Sequence, residues 1–387
     1  MTGPGNAPQK GRIFSLSLAH MLNDWYMNYL QTLLPFLTAA GLAVSQGAFL
    51  VAAFTITSSI VQPVSGYLVD QKNQRWMVYV GTLWMAVLLG LAGTIGNYPL
   101  ALLAVSLGGL GTAAFHPQAS AMVSAVSGTR KGTFQALFVA AGNVGWALTP
   151  LLAVPFIQAY GLARTPVFIV PGVLVAILLW FTAPRVGPAA RSPSSPLGRA
   201  LAGQWGELTK IVLVVALRSL AYTALVAFLP LYFQRRGVSL VTSSHLLFVM
   251  LFAGALGGLA GGYLFDRYGE KVVIAGSLAA ASPLFFLALQ SGGPSGYLFL
   301  ALAGACLLAS FSVTIVAAQK LISGNAAMAS GLMLGFANGA GGLGVGFVGV
   351  LAQHAGVPFA VHFLIWLPLV TGLFALTLRG VKTAAAA

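Results

Sequence analysis

The stretch Gly66-Tyr67-Leu68-Val69-Asp70-Gln71-Lys72-Asn73-Gln74-Arg75 occurs twice in the chain. Its second copy, Gly262-Tyr263-Leu264-Phe265-Asp266-Arg267-Tyr268-Gly269-Glu270-Lys271, begins 196 residues later (262 − 66), about half of the 387-residue length. Glycine, leucine, aspartate and a closing base keep the same spacing. Each copy ends one long apolar run and begins another, so each reads as a short charged turn between two membrane helices, used once per half.

The surrounding sequence fits that reading. Hydrophobic residues make up 58% of the chain and charged residues 6%, where a soluble domain carries about a quarter charged. A helix crosses the hydrocarbon core with roughly twenty apolar residues, and about twelve such runs are present. Helices satisfy their backbone one segment at a time in lipid. The ten-residue alternation of an outer-membrane barrel is absent.

The repeat extends along the chain. Leu34-Pro35 answers Leu229-Pro230, Gly41 answers Gly237, Phe115 answers Phe311, Ser127-Gly128 answers Ser323-Gly324, and Asn143 answers Asn338. An even number of spans per half gives both halves the same orientation. The expected fold is an all-α membrane protein of about twelve transmembrane helices, in two parallel six-helix halves around a central cavity. The halves are residues 1–183 and 207–387. Residues 184–206, with Pro184, Pro188, Pro193 and Pro196, form a cytoplasmic linker. Helix one is expected over Ile13 to Ala40, helix two over Gly47 to Val69, helix six over Thr165 to Ala183 and helix eleven over Met328 to Gln353. In folds of this plan the substrate sits near mid-membrane between the halves.

The net charge of +14 comes from basic residues gathered in loops on one side, so no nucleic-acid partner is implied. The chain has 19 Lys and Arg. Arg218 lies inside a span and Arg164, Arg235 and Arg236 fall on the outer side; the remaining fifteen fall on the inner side. That asymmetry places both termini in the cytoplasm and the protein in the inner (plasma) membrane. Linker arginines are within reach of anionic lipid. The lone cysteine, Cys306, excludes an internal disulfide.

The turn resembles the G-x-L-x-D-R-x-G-R-R signature of the major facilitator superfamily. The first copy departs from it at Gln71 and Asn73, while the second keeps Asp266-Arg267 and Gly269. A narrower resemblance is to the fosmidomycin resistance protein branch of drug efflux transporters. It rests on Ala19-His20-Met21-Leu22-Asn23-Asp24, Gln62-Pro63-Val64-Ser65-Gly66, Phe115-His116-Pro117, and Gly142-Asn143-Val144-Gly145 with Pro150. These stretches all lie in the first half. The resemblance implies a proton-driven exporter of small molecules, working by alternating access as a monomer.

The candidate chemistry is sparse. Of five carboxylates, Asp70, Asp266 and Glu270 sit at inner turns and Glu207 at the linker edge. Asp24 alone is deep in a span, 11 residues after Ile13, or about 16 Å along the helix. An ionisable group there is expensive and usually functional, so Asp24 is the expected proton carrier. His20 is one turn away on the same face, and Asn28 and Gln31 continue the stripe, flanked by Tyr26 and Tyr29. His116 precedes Pro117, which frees a carbonyl one turn earlier, and is a proton relay with Asp24 or a substrate contact. Arg218, deep in helix seven, suits carboxylate or phosphonate through its planar fork. Two readings of it stand: pairing with Asp24 until an anion arrives, or snorkelling to the surface.

Tyr222, Phe115 and Asn143 complete the expected substrate contacts. Gly142 and Gly145 read as close-packing positions. Gly66, Asp70, Arg75, Gly262, Asp266 and Arg267 are the expected gating residues, bridging helix ends in one access state and parting in the other. No Gly-x-x-x-x-Gly-Lys-Ser/Thr stretch exists, so no nucleotide or other cofactor is expected, and energy comes from an ion gradient. With a single deep acid, an enzyme is disfavoured. Proton-coupled uptake of a small organic anion is the alternative, as is divalent metal export through His20, Asp24 and His116, although no resident metal is expected.

Overall fold

A computed structural model describes residues 7–62, 65, 74–128, 131–185, 204–321 and 332–379. The chain divides into two compact units, Met1–Ala190 and Arg191–Ala387. Unit 1 contains α1 (Lys10–Ala39), α2 (Val44–Ile60), α3 (Trp76–Leu91), α4 (Tyr98–Val126), α5 (Lys131–Tyr160), a 3-10 segment (Leu162–Phe168) and α6 (Ile169–Thr182). Unit 2 contains α7 (Trp205–Arg235), α8 (Leu240–Tyr268), α9 (Glu270–Gln290), α10 (Gly293–Leu321), a π-helical turn (Leu332–Ala337), α11 (Asn338–Ala355) and α12 (Val357–Ala375). The described residues contain no strand.

Among the described residues, eight segments are long and apolar enough to cross a membrane: α4, α5, the 3-10 segment with α6, α7, α8, α9, α10 and α12. About twelve such runs are expected from sequence. The remaining four helices depart for separate reasons. α1 is long enough, but its polar stripe dilutes its apolar character. α2 and α3 are apolar yet span 17 and 16 residues, and residues 63–64 and 66–73 between them lie outside the described residues. α11 is rich in glycine. Large apolar side chains such as Leu174, Phe181, Leu259 and Phe347 are more than half exposed, as surfaces that meet lipid require.

The internal repeat reappears in the backbone. α1 and α7 both end through a glycine at positive φ, Gly41 at 99° and Gly237 at 79°. Beyond each, an amide reaches back five residues: Leu42 N–H donates to Leu37 O and Val238 N–H to Phe233 O, both at 3.0 Å. This is the Schellman stop, which needs a residue free of a Cβ clash.

Packing repeats as well. In unit 1, α1 lies on α5, α2 on α4, and α3 on α4 and α6. In unit 2, α7 lies on α11, α8 on α10, and α9 on α10 and α12. Gly145 of α5 abuts the Met21 backbone of α1; Gly341 of α11 sits the same way on Ala216, Ser219 and Leu220 of α7.

Two expected helices are modified. Helix six begins as a 3-10 segment after Gly161, with Pro166 inside it, since proline cannot donate to an α-helical ladder. The described part of helix eleven opens on the π-helical turn.

Candidate functional site

The site is built from α1, α4 and α5. One turn of α1 separates His20 from Asp24, so both project on one face. Asp24 Oδ1 lies 2.9 Å from His116 Nε2, and Asp24 Oδ2 lies 3.5 Å from His20 Nε2. The two imidazoles meet edge to face at 4.9 Å. The side chains are enclosed without being sealed, with 7% of His20, 14% of Asp24 and 20% of His116 exposed.

Each imidazole is anchored at its other nitrogen. His20 Nδ1 lies 2.7 Å from Phe138 O on α5, and His116 Nδ1 lies 3.1 Å from Thr112 O one turn earlier on α4. A carbonyl oxygen only accepts, so each Nδ1 must carry the hydrogen; this assigns the tautomer. In a neutral His116 the Nε2 would then be a bare acceptor facing a carboxylate oxygen. Two acceptors at 2.9 Å repel, so the pair holds a proton, on Asp24 or on His116.

The surroundings fix this arrangement. The His20 ring stacks on Phe138 at 4.0 Å between centroids. Behind it, Leu16, Ala19, Phe115, Met122 and Phe138 form one buried cluster. On the open side, Gly142 of α5 leaves room: a Cβ there would meet Asp24 Oδ2, and would lie 2.6 Å from His20 Cε1 and 2.8 Å from Nε2. Asn23, beside Asp24, turns away and donates from Nδ2 to Ala19 O at 2.8 Å and Thr82 Oγ1 at 2.9 Å, tying α1 to α3.

The other expected contacts are distributed. Asn28 donates to Trp146 O at 2.8 Å, while its Oδ1 and Gln31 Oε1 are buried without a hydrogen-bond partner. Tyr29 is fully buried and stacks on Trp25 at 5.2 Å, with Phe168 edge-on at 5.3 Å. Tyr26 donates to Phe168 O. Phe115 packs in the cluster behind His20, and Asn143 is exposed.

In unit 2, Arg218 is 2% exposed, so it does not snorkel to a surface. It lies against Thr314 and Phe311 of α10, and Tyr222 of its own helix is close enough to act on its charge. Tyr222, one turn further along α7, is half-buried.

Among the gating candidates, Gly66, Asp70 and the Asp266 side chain lie outside the described residues. Gly262 is half-buried within α8, and Arg267 is exposed with its guanidinium 5.7 Å from the Tyr268 ring. Arg75 is engaged within its own unit. Its Nε donates to Ala183 O at 2.8 Å, and a terminal nitrogen donates to Trp180 O. It thereby satisfies carbonyls at the end of α6 that have no helical partner.

Ligand atoms of His20, Asp24 and His116 lie within 4.8 Å of one another. Ligands about 2.1 Å from one zinc ion stand about 3.4 Å apart at tetrahedral angles. Two of its edges, 2.9 Å and 3.5 Å, bracket that spacing, and the shorter is a hydrogen bond. As placed, the trio can share a proton along that edge, and its three N/O atoms are also near enough to one another to meet a cation.

A family model described as Major Facilitator Superfamily matches residues 16–345. The chain belongs to the major facilitator superfamily. It is therefore a multi-pass membrane transporter and not an enzyme. It is 31% identical to the fosmidomycin resistance protein of Escherichia coli (strain K12) over 370 residues, 93% of this chain and 90% of that protein. It is also 31% identical to the uncharacterized MFS-type transporter YfnC of Bacillus subtilis (strain 168) over 383 residues, 94% of this chain and 91% of that one.

Solved structures share the fold at low identity. One is a bacterial homolog of the human lysosomal transporter Spinster, at TM-score 0.74 and 16% identity, covering 97% of this chain and 95% of that one. Another is the nucleoside transporter NupG, solved as a point mutant, at TM-score 0.78 and 14% identity, covering 95% of this chain and 99% of that one.

The polar stripe of α1 is readable from sequence spacing, whereas His116 is left by the sequence as a relay with Asp24 or a substrate contact, and the structure sets it against Asp24. Phe138 and Asn23 carry no such signal. The first acts through a backbone oxygen, and the second braces α3 through a residue 59 positions away. Gly142 is recognisable as a packing glycine, but what it packs against is not.

Proposed function

We propose that this transporter is a proton-coupled antiporter that exports a small, anionic, drug-like molecule of the fosmidomycin type by alternating access. It works from the inner membrane with both termini in the cytoplasm. The observation that carries the reading is the hydrogen bond between His116 Nε2 and Asp24 Oδ1 at 2.9 Å, in a pair that must hold one proton. An enclosed acid that shares a proton with an anchored imidazole has two protonation states of similar geometry. It can accept a proton from one side and release it to the other without rebuilding its helices.

His116 orients the carboxyl, and His20 supplies a second basic nitrogen 3.5 Å from the other oxygen. Asp24 is the group that gains and loses charge. Occupancy by the proton and by cargo alternate, so that inward proton flow drives outward cargo flow. The 31% identity to the fosmidomycin resistance protein supports the class of cargo.

The test is internal pH in proteoliposomes carrying the full chain, with and without fosmidomycin. Wild type should move protons when the drug is added. Asp24→Asn, which keeps the shape and removes the titratable oxygen, should abolish the response. Drug-driven proton movement in Asp24→Asn equal to wild type overturns the proton assignment. Proton movement of the opposite sign to antiport makes the protein an importer.

A further inference from the structure

Unit 2 encloses a charge that its own described residues leave unbalanced. Arg218, deep within α7, is 2% exposed. Its Nη1 reaches Thr314 Oγ1 at 3.5 Å, at the outer limit of a hydrogen bond, and its Cζ stands 4.8 Å from the centroid of Phe311. The Thr314 hydroxyl already donates to Phe311 O at 2.9 Å, so it offers Arg218 a lone pair only.

No described carboxylate lies within ion-pair distance of the guanidinium. The described ion pairs use Asp24 with the two histidines, and Glu207 with Lys210 and Arg379. Glu207 sits 11 residues before Arg218, about 16 Å away along the helix. A guanidinium carries five N–H donors and no acceptor. A distant hydroxyl, a ring face and the nearby phenol of Tyr222 give it no anionic partner among the described residues, and removing such an ion from water costs several kcal/mol.

Two further observations mark the same place. The π-helical turn Leu332–Ala337 packs against both α7 and α10, the two helices that hold Arg218 and its partners. Single π-helical turns are frequent at functional sites. The repeat gives the second mark. Phe311 of α10 is the counterpart of Phe115 of α4, which packs behind His20 and beside His116. Arg218 is the counterpart of residues 22–23, which immediately precede Asp24 on α1. Each unit thus uses its first and fourth helices, around the same phenylalanine, to hold ionisable chemistry.

We propose that Arg218, backed by the Phe311 ring and oriented by Thr314, binds the anionic group of the cargo, a carboxylate or a phosphonate. This deepens the transport reading above and rests on it for the cargo. The planar fork can take two oxygens of one oxyanion at once. Phe311 covers one face of the guanidinium and shields it from water, and the N–H donors beyond the one facing Thr314 are those the oxyanion would take. Lysine would keep the charge but present a single ammonium in place of the fork.

The experiment is calorimetric binding to the purified full chain in detergent, with no gradient and no membrane. A failure of proton coupling therefore leaves its outcome intact. The probes are fosmidomycin, its neutral phosphonate diester, benzoate and inorganic phosphate. Wild type should bind fosmidomycin, and the diester should bind about tenfold more weakly or worse, as loss of a charge-assisted contact requires. Arg218→Ala should show the same loss, and Arg218→Lys a smaller one.

The diester comparison needs no variant, so it stands even if Arg218→Ala does not fold. If benzoate or phosphate binds in an Arg218-dependent way and fosmidomycin does not, the anion site holds and the drug reading falls. Equal affinity of wild type for diester and free phosphonate overturns the proposal. So does wild-type affinity in Arg218→Ala, or saturable binding of none of the anions.

Discussion

Replacing Gly142 with alanine tests the site through its shape, with no titratable group removed. The new methyl would stand 2.6 Å from His20 Cε1 and 2.8 Å from Nε2, where ordinary contact begins at 3.4 Å. The ring would have to retreat by about 0.8 Å (3.4 − 2.6). It cannot retreat toward Phe138, whose ring already stacks on it at 4.0 Å. It must instead pivot, stretching the 2.7 Å bond from Nδ1 to Phe138 O. Asp24 Oδ2 meets the same methyl, and turning it away weakens the bond from Oδ1 to His116.

Overpacking of this kind costs about 1–3 kcal/mol, and 1.4 kcal/mol is about tenfold in an equilibrium constant. Gly142→Ala should fold and should lose about tenfold or more of drug-driven proton movement in proteoliposomes. Gly145→Ala is the control for packing alone. Its Cβ would strike the Met21 backbone, which has no rotamer to yield, so it should lower Tm more than Gly142→Ala does. A Gly142→Ala protein that couples at the wild-type rate and with the wild-type pH profile would refute the assignment of this trio.

Two further substitutions probe the frame around the site. Arg75→Ala removes two donors from the end of α6 and should destabilise the protein by about 1–3 kcal/mol, read as a lower denaturation midpoint; an unchanged midpoint would show that the cap is dispensable. Asn23→Ala removes the bridge from α1 to Thr82 of α3 and should cost about 1–2 kcal/mol. The matching Thr82→Val loss should not add to it in a double variant, because both remove the same bond.

The sequence makes the fold legible because lipid leaves few options. Long apolar runs must become helices, and a motif recurring 196 residues apart (262 − 66) forces two like-ordered halves. The Schellman stops at Gly41 and Gly237 follow from the same repeat. Helix irregularities are less legible: the 3-10 start after Gly161 carries a proline as a signal, but the π-helical turn before Asn338 depends on packing against α7 and α10. Spacing identifies His20 with Asp24, and rarity singles out Asp24 in one unit and Arg218 in the other. Spacing cannot reveal that the Nδ1 atoms are occupied by Phe138 O and Thr112 O, since backbone oxygens are common to every residue. Pro117 is an instructive case. It frees the carbonyl of Ala113, yet the His116 ring bonds the carbonyl of Thr112 instead.

The glycine contact that brings α5 onto α1 at Gly145 recurs where α11 meets α7 at Gly341, but the neighbouring chemistry has opposite sign: a carboxyl in one unit, a guanidinium in the other. Architecture and charge have therefore been inherited separately. After a duplication, one copy was free to keep its backbone while its ionisable side chains were exchanged. The buried positions on the first and fourth helices of a unit can therefore exchange one ionisable group for another with the helix packing around them kept.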